Sequence, residues 1–567
     1  MDASALGLQQ KHWGPKFYLT TAIACVAGYL AYVATFGVSV VFWDEWGWTT
    51  FIRPGGVTLA TLWQQHNENI LFFPNLVSVV LIRLSNWNDL SFLWLSACFM
   101  IGSLLLITRM FWKEIVKAPL FWLPTPFLVL SLVQHQNILW AFQTAWAMVL
   151  FFMLAAILLL GGSNSSTKRI LIAAIPATLA SYSSLEGLIV WPAGLVVLLA
   201  MGQRRAHAAL WSGVGVVVTI GYFADFNFAE SGSASIPYLL GHISPSIHGV
   251  LVLAGSVVPN IDSGIQVLDS FRLTEVVGAL LFILSGVVMV AWIREGRPTG
   301  AKAYCVALIV VSILFDLLLV PGRLVANADA GTTSRYATFT WPMLLGTYGY
   351  GVMTWRTATG WLGWRKASQA VLTCVVVAQV VIASIVGMEQ GRVTRSVRLT
   401  SADVLANWRT ETPGLAAPYL LPPCANDDTV CRELADASQL LETDHMNVFS
   451  DPGEIRSLQE LGIVPGGVAP ESLAIPPALR SHVEASDSGE KAWNVLSAVY
   501  WADPLLQRAH PQTKAGITGL LLWAIAFGDE VTRQSMIEVE WQPPVSSAFF
   551  LQQYNSLYRS WVLSGDS

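Results

Sequence analysis

The chain has 567 residues, of which 54% are hydrophobic and only 12% charged, with a mean hydropathy of +0.53 and a net charge of −5. Apolar residues gathered into long blocks at so low a charge density point to a membrane protein rather than a soluble one. The cations come in short scattered clusters, which excludes the concentrated basic face of a nucleic-acid-binding protein.

A spanning helix takes ~20 apolar residues. Lys11 and Lys16 precede a first block at 17–42, which is too long for a signal-peptide core and lacks a small-residue cleavage site, so it reads as an uncleaved first span. Further blocks at 90–110, 119–135, 141–160, 170–184, 187–201, 207–225, 272–293, 303–321, 337–355 and 369–388 bring the expected total to eleven. The stretch 70–84 is short and carries Pro74, Asn75 and Arg83, which suits an interfacial helix. With it kept out of the membrane, the clusters Arg109/Lys113/Lys117, Lys168/Arg169, Arg204/Arg205, Arg294/Arg297/Lys302 and Arg356/Arg365/Lys366 all fall on the side of Lys11 and Lys16. Counting it as a span would scatter them over both faces, against the positive-inside rule.

This threading sends 43–89, 136–140, 185–186, 226–271, 322–336 and everything after about 389 to the extracytoplasmic face of a bacterial inner membrane. Loop 226–271 holds a second apolar stretch, 247–258, bounded by Pro245 and Pro259; it is too short to cross and is expected to lie against or dip into the membrane. The tail 389–567 changes composition, with Pro413-Gly414, Pro422-Pro423, Pro452-Gly453 and Pro465-Gly466-Gly467 between charged helical segments. The expectation is an all-α polytopic membrane protein with a transmembrane domain over 1–388 and a small, mainly α soluble domain over 389–567, in which Ile517–Phe527 is a buried helix. Cys25, Cys98, Cys305 and Cys374 lie in apolar blocks, whereas Cys424 and Cys431 form a candidate disulfide in an oxidising compartment.

The chemistry-bearing residues cluster in the expected outer loops. Directly after the first span comes Phe42-Trp43-Asp44-Glu45-Trp46-Gly47-Trp48, where two carboxylates in an aromatic frame suit a general base toward a hydroxyl. The plainer alternative is a solvated loop with interfacial tryptophans. Gln65-His66-Asn67-Glu68-Asn69-Ile70 is a dense polar string that fits substrate contact or a hydrated helix end, and His66 with Glu68 lacks zinc-site spacing. Gln134-His135-Gln136-Asn137-Ile138-Leu139-Trp140-Ala141-Phe142-Gln143 and Ser181-Tyr182-Ser183-Ser184-Leu185-Glu186-Gly187 offer amides, hydroxyls and rings of the kind a sugar needs, or else cap tight turns. Arg323 and Arg335, the latter within Ser334-Arg335-Tyr336, run against the charge bias and are shaped to clamp a phosphate; otherwise they snorkel. Asn327 and Asp329 lie between them, and Asp316 in the ninth span is expected to pair with either arginine. His242 and His248 have no evident partner and read as structural. Walker, GxGxxG, GxSxG and HExxH motifs are absent.

An acidic pair after the first span, interfacial helices, a many-span core and a soluble tail together resemble the GT-C superfamily of membrane glycosyltransferases over roughly residues 17–390. Trp43-Asp44-Glu45-Trp46, His66-Asn67-Glu68, Gln136 to Gln143, Gly187-Leu188-Ile189-Val190-Trp191-Pro192 and Ser334-Arg335-Tyr336 are similar to the recurring blocks of one bacterial branch. Where that branch carries His-Asn-Glu-His-Arg, this chain ends the string with Asn69 and Ile70. The resemblance implies a polyprenyl-phosphate-sugar donor, a glycan or lipid acceptor, inversion at the sugar carbon, and no cofactor, with a divalent metal left open. It implies Asp44 as general base. Glu45, His66 and Glu68 would orient acceptor or base, Arg323 and Arg335 would hold the donor phosphate, and Gln143, Glu186 and Tyr336 would contact substrate. Competing readings are a flippase for a lipid-linked saccharide, a glycan ligase or polymerase, and a non-catalytic assembly protein. Transport is disfavoured because the polar groups concentrate on one face instead of along the spans.

Overall fold

The structure, a computed structural model, describes residues 3–162, 166–228, 236–258, 270–296, 300–324, 331–357, 362–409, 420 and 428–450. Helix dominates, as it must where lipid offers no hydrogen-bond partner to the backbone. Among the described residues the only strands are Gln65–His66 and Asn69–Ile70. Seven described helices are long and apolar enough to cross a membrane: Gly14–Phe36, Asp89–Lys117, Ala141–Leu160, Arg205–Phe223, Leu273–Glu295, Gly300–Leu319 and Val376–Ala406. The protein is therefore an all-α, multi-pass membrane protein.

Seven, against eleven expected, has an identifiable cause at one block. The stretch 119–135 is not one continuous helix: prolines at 119, 124 and 126 divide it into Pro119–Trp122, Pro124–Val129 and Leu132–Gln134. Proline lacks the amide that would continue a helix and clashes with the preceding turn. The blocks at 170–184 and 187–201 form the 15-residue helix Thr167–Ser181 and the shorter Val190–Ala200, while 337–355 lies in the proline-containing Ala337–Thr357. Stretch 70–84 is the 14-residue helix Phe72–Ser85.

The chain divides into two units, one made of Met1–Thr35, Pro54–Val79 and Phe92–Met388, the other of Phe36–Arg53, Val80–Ser91 and Glu389–Ser567. In the first, Gly300–Leu319 packs along Ala337–Thr357, Thr144–Leu160 along Thr167–Ser181, and Ile243–Ala254 along Ser270–Glu295. The last pair is in backbone contact, since a Cβ on Gly278 would stand 1.7 Å from the Leu251 carbonyl oxygen. On Ser270–Glu295 the exposed residues Val276, Leu280, Ile283, Val287 and Val290 recur at helical spacing, the stripe that lipid would cover.

In the second unit the turn after the first span and the approach to Asp89 join the tail. The tail's described part comprises the end of a continuous helix Leu362–Ala406 and, farther on, the helix Asp428–Thr443 with a 3-10 turn Asn447–Phe449. Cys424, the side chain of Cys431, and the segment 517–527 lie outside the described residues.

Candidate functional site

The His66 string is the tip of a hairpin rather than a helix end. Gln65 pairs with Ile70 and His66 with Asn69, and the chain reverses through Asn67 at φ 51°, a left-handed conformation that asparagine tolerates. Gln65 Nε2 donates to the carbonyls of Asn67 (2.7 Å) and Asn227 (3.0 Å), and its Oε1 accepts from the Asn227 amide (2.8 Å). The Tyr222 hydroxyl accepts from the Ile70 amide (2.9 Å) and donates to the Glu68 carbonyl (3.2 Å). Asn69 joins this tip to the Glu186 turn. Its Oδ1 accepts from Ser184 Oγ (2.7 Å) and the Leu185 amide (3.0 Å), and the Ser184 hydroxyl also meets Glu186 Oε2.

Glu186 is 2% exposed and sits on the 3-10 turn Leu185–Ile189. That turn lies against the end of Thr167–Ser181 so closely that a Cβ on Gly187 would stand 1.8 Å from the Ala180 oxygen; only glycine fits. Glu68 and Glu186 both lie within electrostatic reach of the Tyr222 hydroxyl, so the structure brings these two acids to one place.

A second group of predicted residues converges in the same unit. Asn137 Nδ2 donates to the Arg335 carbonyl (2.7 Å) and Thr338 Oγ1 (2.6 Å), Thr338 donates to Gln134 Oε1 (2.6 Å), and the Gln136 amide donates to Ser334 Oγ (3.2 Å). These bonds fix the 3-10 turn Ser334–Tyr336. The Arg335 guanidinium lies 6.0 Å from the Trp140 ring and 5.3 Å from the Tyr336 ring, and it forms no ion pair with a carboxylate among the described residues. Phe142 stands 6.1 Å from Trp140 and 5.1 Å from the His66 ring, and Tyr336 stands 5.8 Å from Trp146. Two runs of rings, His66–Phe142–Trp140 and Tyr336–Trp146, are thus bridged by the Arg335 cation.

Along this wall Asn137 Oδ1, Gln143 Oε1 and His135 Nε2 are buried with no hydrogen-bond partner, a pattern that polar walls show where a ligand or water is accommodated. Burial pushes the His135 imidazole down to about 4, so it is neutral and leaves Arg335 as the cation of the group.

Other expectations fall out differently. Asp316 is 0% exposed and neither carboxylate oxygen has a hydrogen-bond partner, so the expected ion pair with an arginine is not formed. Arg323 lies in the π turn Val320–Leu324 with its side chain outside the described residues, as are Asn327 and Asp329. His248, expected to lack a partner, has its Nδ1 3.3 Å from Glu275, and His242 lies over Tyr238 at 4.0 Å between centroids. Among the described residues no group of His, Cys, Asp and Glu side chains could hold a metal ion.

In the second unit the adjacent acids part company. Both lie on the 3-10 helix Trp43–Phe51, entered through Trp43 at φ 51°, a costly conformation for a bulky residue. Asp44 is half-buried. Glu45 is 1% exposed, and its Oε2 accepts from the Phe42 amide (2.8 Å). Arg398 lies with its guanidinium 3.3 Å from the Phe42 ring centroid and acts electrostatically on both Glu45 and Asp89. Glu45, expected to meet substrate, is therefore engaged inside the protein.

No family model, curated protein or solved structure matches this chain. Its functional reading rests on the residues themselves. Arg398 and Asn447 are positions without a signal in the sequence, whereas Asn69 is named there only as one member of a string. The partners of Asn447 and Arg398 are far away in the chain, which no local pattern can show.

Proposed function

We propose that this protein is a membrane glycosyltransferase of GT-C type, moving a sugar from a polyprenyl-phosphate donor to an acceptor hydroxyl at the outer face of the bacterial inner membrane. The observation that carries the reading is Arg335: its backbone is anchored by Asn137, its guanidinium has no carboxylate partner among the described residues, and it stands over a row of aromatic rings ending at His66. A guanidinium kept free of carboxylates is available to a phosphate bidentately, and aromatic faces suit the apolar side of a sugar ring. Gln143, Tyr336, His66, Glu68 and Glu186 supply hydrogen-bonding groups toward that sugar or its acceptor.

Asp44 is the general base in this reading. Of the two adjacent acids it is the one not buried, and it sits on a turn entered through strained backbone, as functional positions often do. Direct attack by the deprotonated acceptor oxygen on the sugar carbon, with polyprenyl phosphate leaving, gives inversion.

The test is sugar-agnostic. Membrane vesicles holding the full chain are given synthetic polyprenyl-phosphate hexose and pentose donors, with acceptors supplied by the native membrane, and released polyprenyl phosphate is measured. Release that depends on Asp44 and Arg335 supports the enzyme. Donor crossing the bilayer intact, with no release, would make it a transporter.

A further inference from the structure

We propose that Arg398, in the helix Leu362–Ala406, is a positioning residue for Asp44, holding the turn that presents this acid; the inference rests on the reading of Asp44 as base. Phe42 and Glu45 bracket Asp44, and each is tied to the same guanidinium. Arg398 stands 3.3 Å from the Phe42 ring centroid, and its charge interacts with the Glu45 carboxylate. Glu45 Oε2 in turn accepts from the Phe42 amide (2.8 Å), while the Glu45 amide donates to the Phe42 carbonyl (3.2 Å), so the four residues from Phe42 to Glu45 form a closed turn.

The guanidinium is itself held from a second side. Asp89 is buried and interacts with Arg398, and its Oδ2 accepts from Asn447 Nδ2 (2.9 Å). Asn447 Nδ2 also donates to the Trp87 carbonyl (2.8 Å), its Oδ1 accepts from the Val41 amide (3.2 Å), and its own amide donates to the Asn86 carbonyl (2.8 Å). Hydrogen bonds thus join Val41, Asn447 and Asp89 on one side and Glu45 with Phe42 on the other, and the Arg398 charge, seated on the Phe42 ring, acts on both acids. Both tail residues, Arg398 and Asn447, grip the segment that carries Asp44.

An apolar core would hold a surface turn at lower cost than three buried ionisable groups, two acidic and one basic. What such a cluster offers is a fixed geometry, because a guanidinium seated on the Phe42 ring between two acids is confined to one place. A general base needs that precision, since a displacement of about 1 Å can lower turnover by roughly a hundredfold.

The experiment uses the full chain in membrane vesicles with the donors named above. Arg398→Gln should lower kcat by about 10–100-fold while the donor KM stays within about threefold, and Arg398→Lys should recover part of the loss. The double variant Arg398→Gln with Glu45→Gln removes one charge of each sign. A group that only balances charge would give back wild-type kcat in this variant, which would overturn the proposal; a positioning group leaves kcat low.

A second readout needs no turnover. Gly47 is exposed with nothing within 4 Å of a built Cβ, so Gly47→Cys in a background lacking the native cysteines can carry a nitroxide beside the turn. Its spectrum should show a more mobile label in Arg398→Gln than in the parent, and an unchanged spectrum overturns the proposal. If Asp44→Asn keeps full turnover the base assignment fails instead. Loss of turnover in Asp44→Asn together with normal kcat in Arg398→Gln rejects only the positioning role.

Discussion

The hairpin around His66 and the turn around Asp44 both present ionisable groups, yet they are held by opposite means. Asn69, Ser184, Gln65 and Tyr222 hold the hairpin with neutral hydrogen bonds between 2.7 and 3.2 Å, aided by one left-handed residue, Asn67. The Asp44 turn is held by buried charge, and its unit contains Trp43, Asn86, Trp87, His445 and Asn447, five of the six left-handed non-glycine residues described. Neutral bonds each contribute about 0.5–1.5 kcal/mol, whereas removing one partner of a buried charge pair costs about 3–5 kcal/mol. The first arrangement can adapt to what binds it. The second is built to be rigid, as suits a base rather than a specificity surface.

The sharpest break of the comparison is at Asp44. Asp44→Asn keeps the shape of the side chain but removes its basic oxygen, so turnover should fall by about 10²–10⁴ while donor binding survives. Full turnover in that variant would leave the rigid turn without a catalytic purpose, and Glu68 or Glu186 would be the next bases to test. Asp89→Ala should act on stability instead, lowering it by about 3–5 kcal/mol, because it leaves Arg398 short of a carboxylate in a buried place. Unfolding in detergent followed by tryptophan fluorescence would measure it.

Arg335 belongs to the adaptable side and should fail differently. Arg335→Ala should weaken donor binding by about 1.5–3 kcal/mol with little change in stability, since the guanidinium has no carboxylate to abandon among the described residues. Lysine at this position should rescue only partly, because a point charge does not reproduce the planar fork. Binding of a fluorescent polyprenyl phosphate would measure both. A stability loss as large as that of Asp89→Ala would show that Arg335 is structural.

How far these two regions could be read from sequence follows the same division. The His66, Gln143, Glu186 and Arg335 blocks were visible because side chains of one chemistry crowd short segments that interrupt apolar blocks. The breaks in stretch 119–135 do not show in average hydropathy, which ignores that proline interrupts a helix. The frame of the Asp44 turn was invisible: Asp89 and Asn447 are 358 residues apart, and Arg398 belongs to a helix whose end reads as the start of a separate tail. Glu45 looked like the twin of Asp44, and only the fold shows one carboxylate turned inward.

Asn69 gives the smallest expected effect and the finest test of the neutral network. Its Oδ1 is the shared acceptor for Ser184 and the Leu185 amide. Asn69→Ala leaves that amide without its partner, so stability should fall by about 1–3 kcal/mol. Asn69→Asp keeps an acceptor oxygen but adds negative charge in the network that already holds Glu186 through Ser184, so like-charge repulsion should offset the retained bond. Asn69→His supplies one acceptor nitrogen in place of an oxygen that serves two donors, so it should lie between the wild type and alanine. Thermal unfolding of the three variants in one detergent ranks them. If aspartate proved as stable as asparagine, no like-charge repulsion from Glu186 would act at this position, and Oδ1 of Asn69 would matter only as an acceptor.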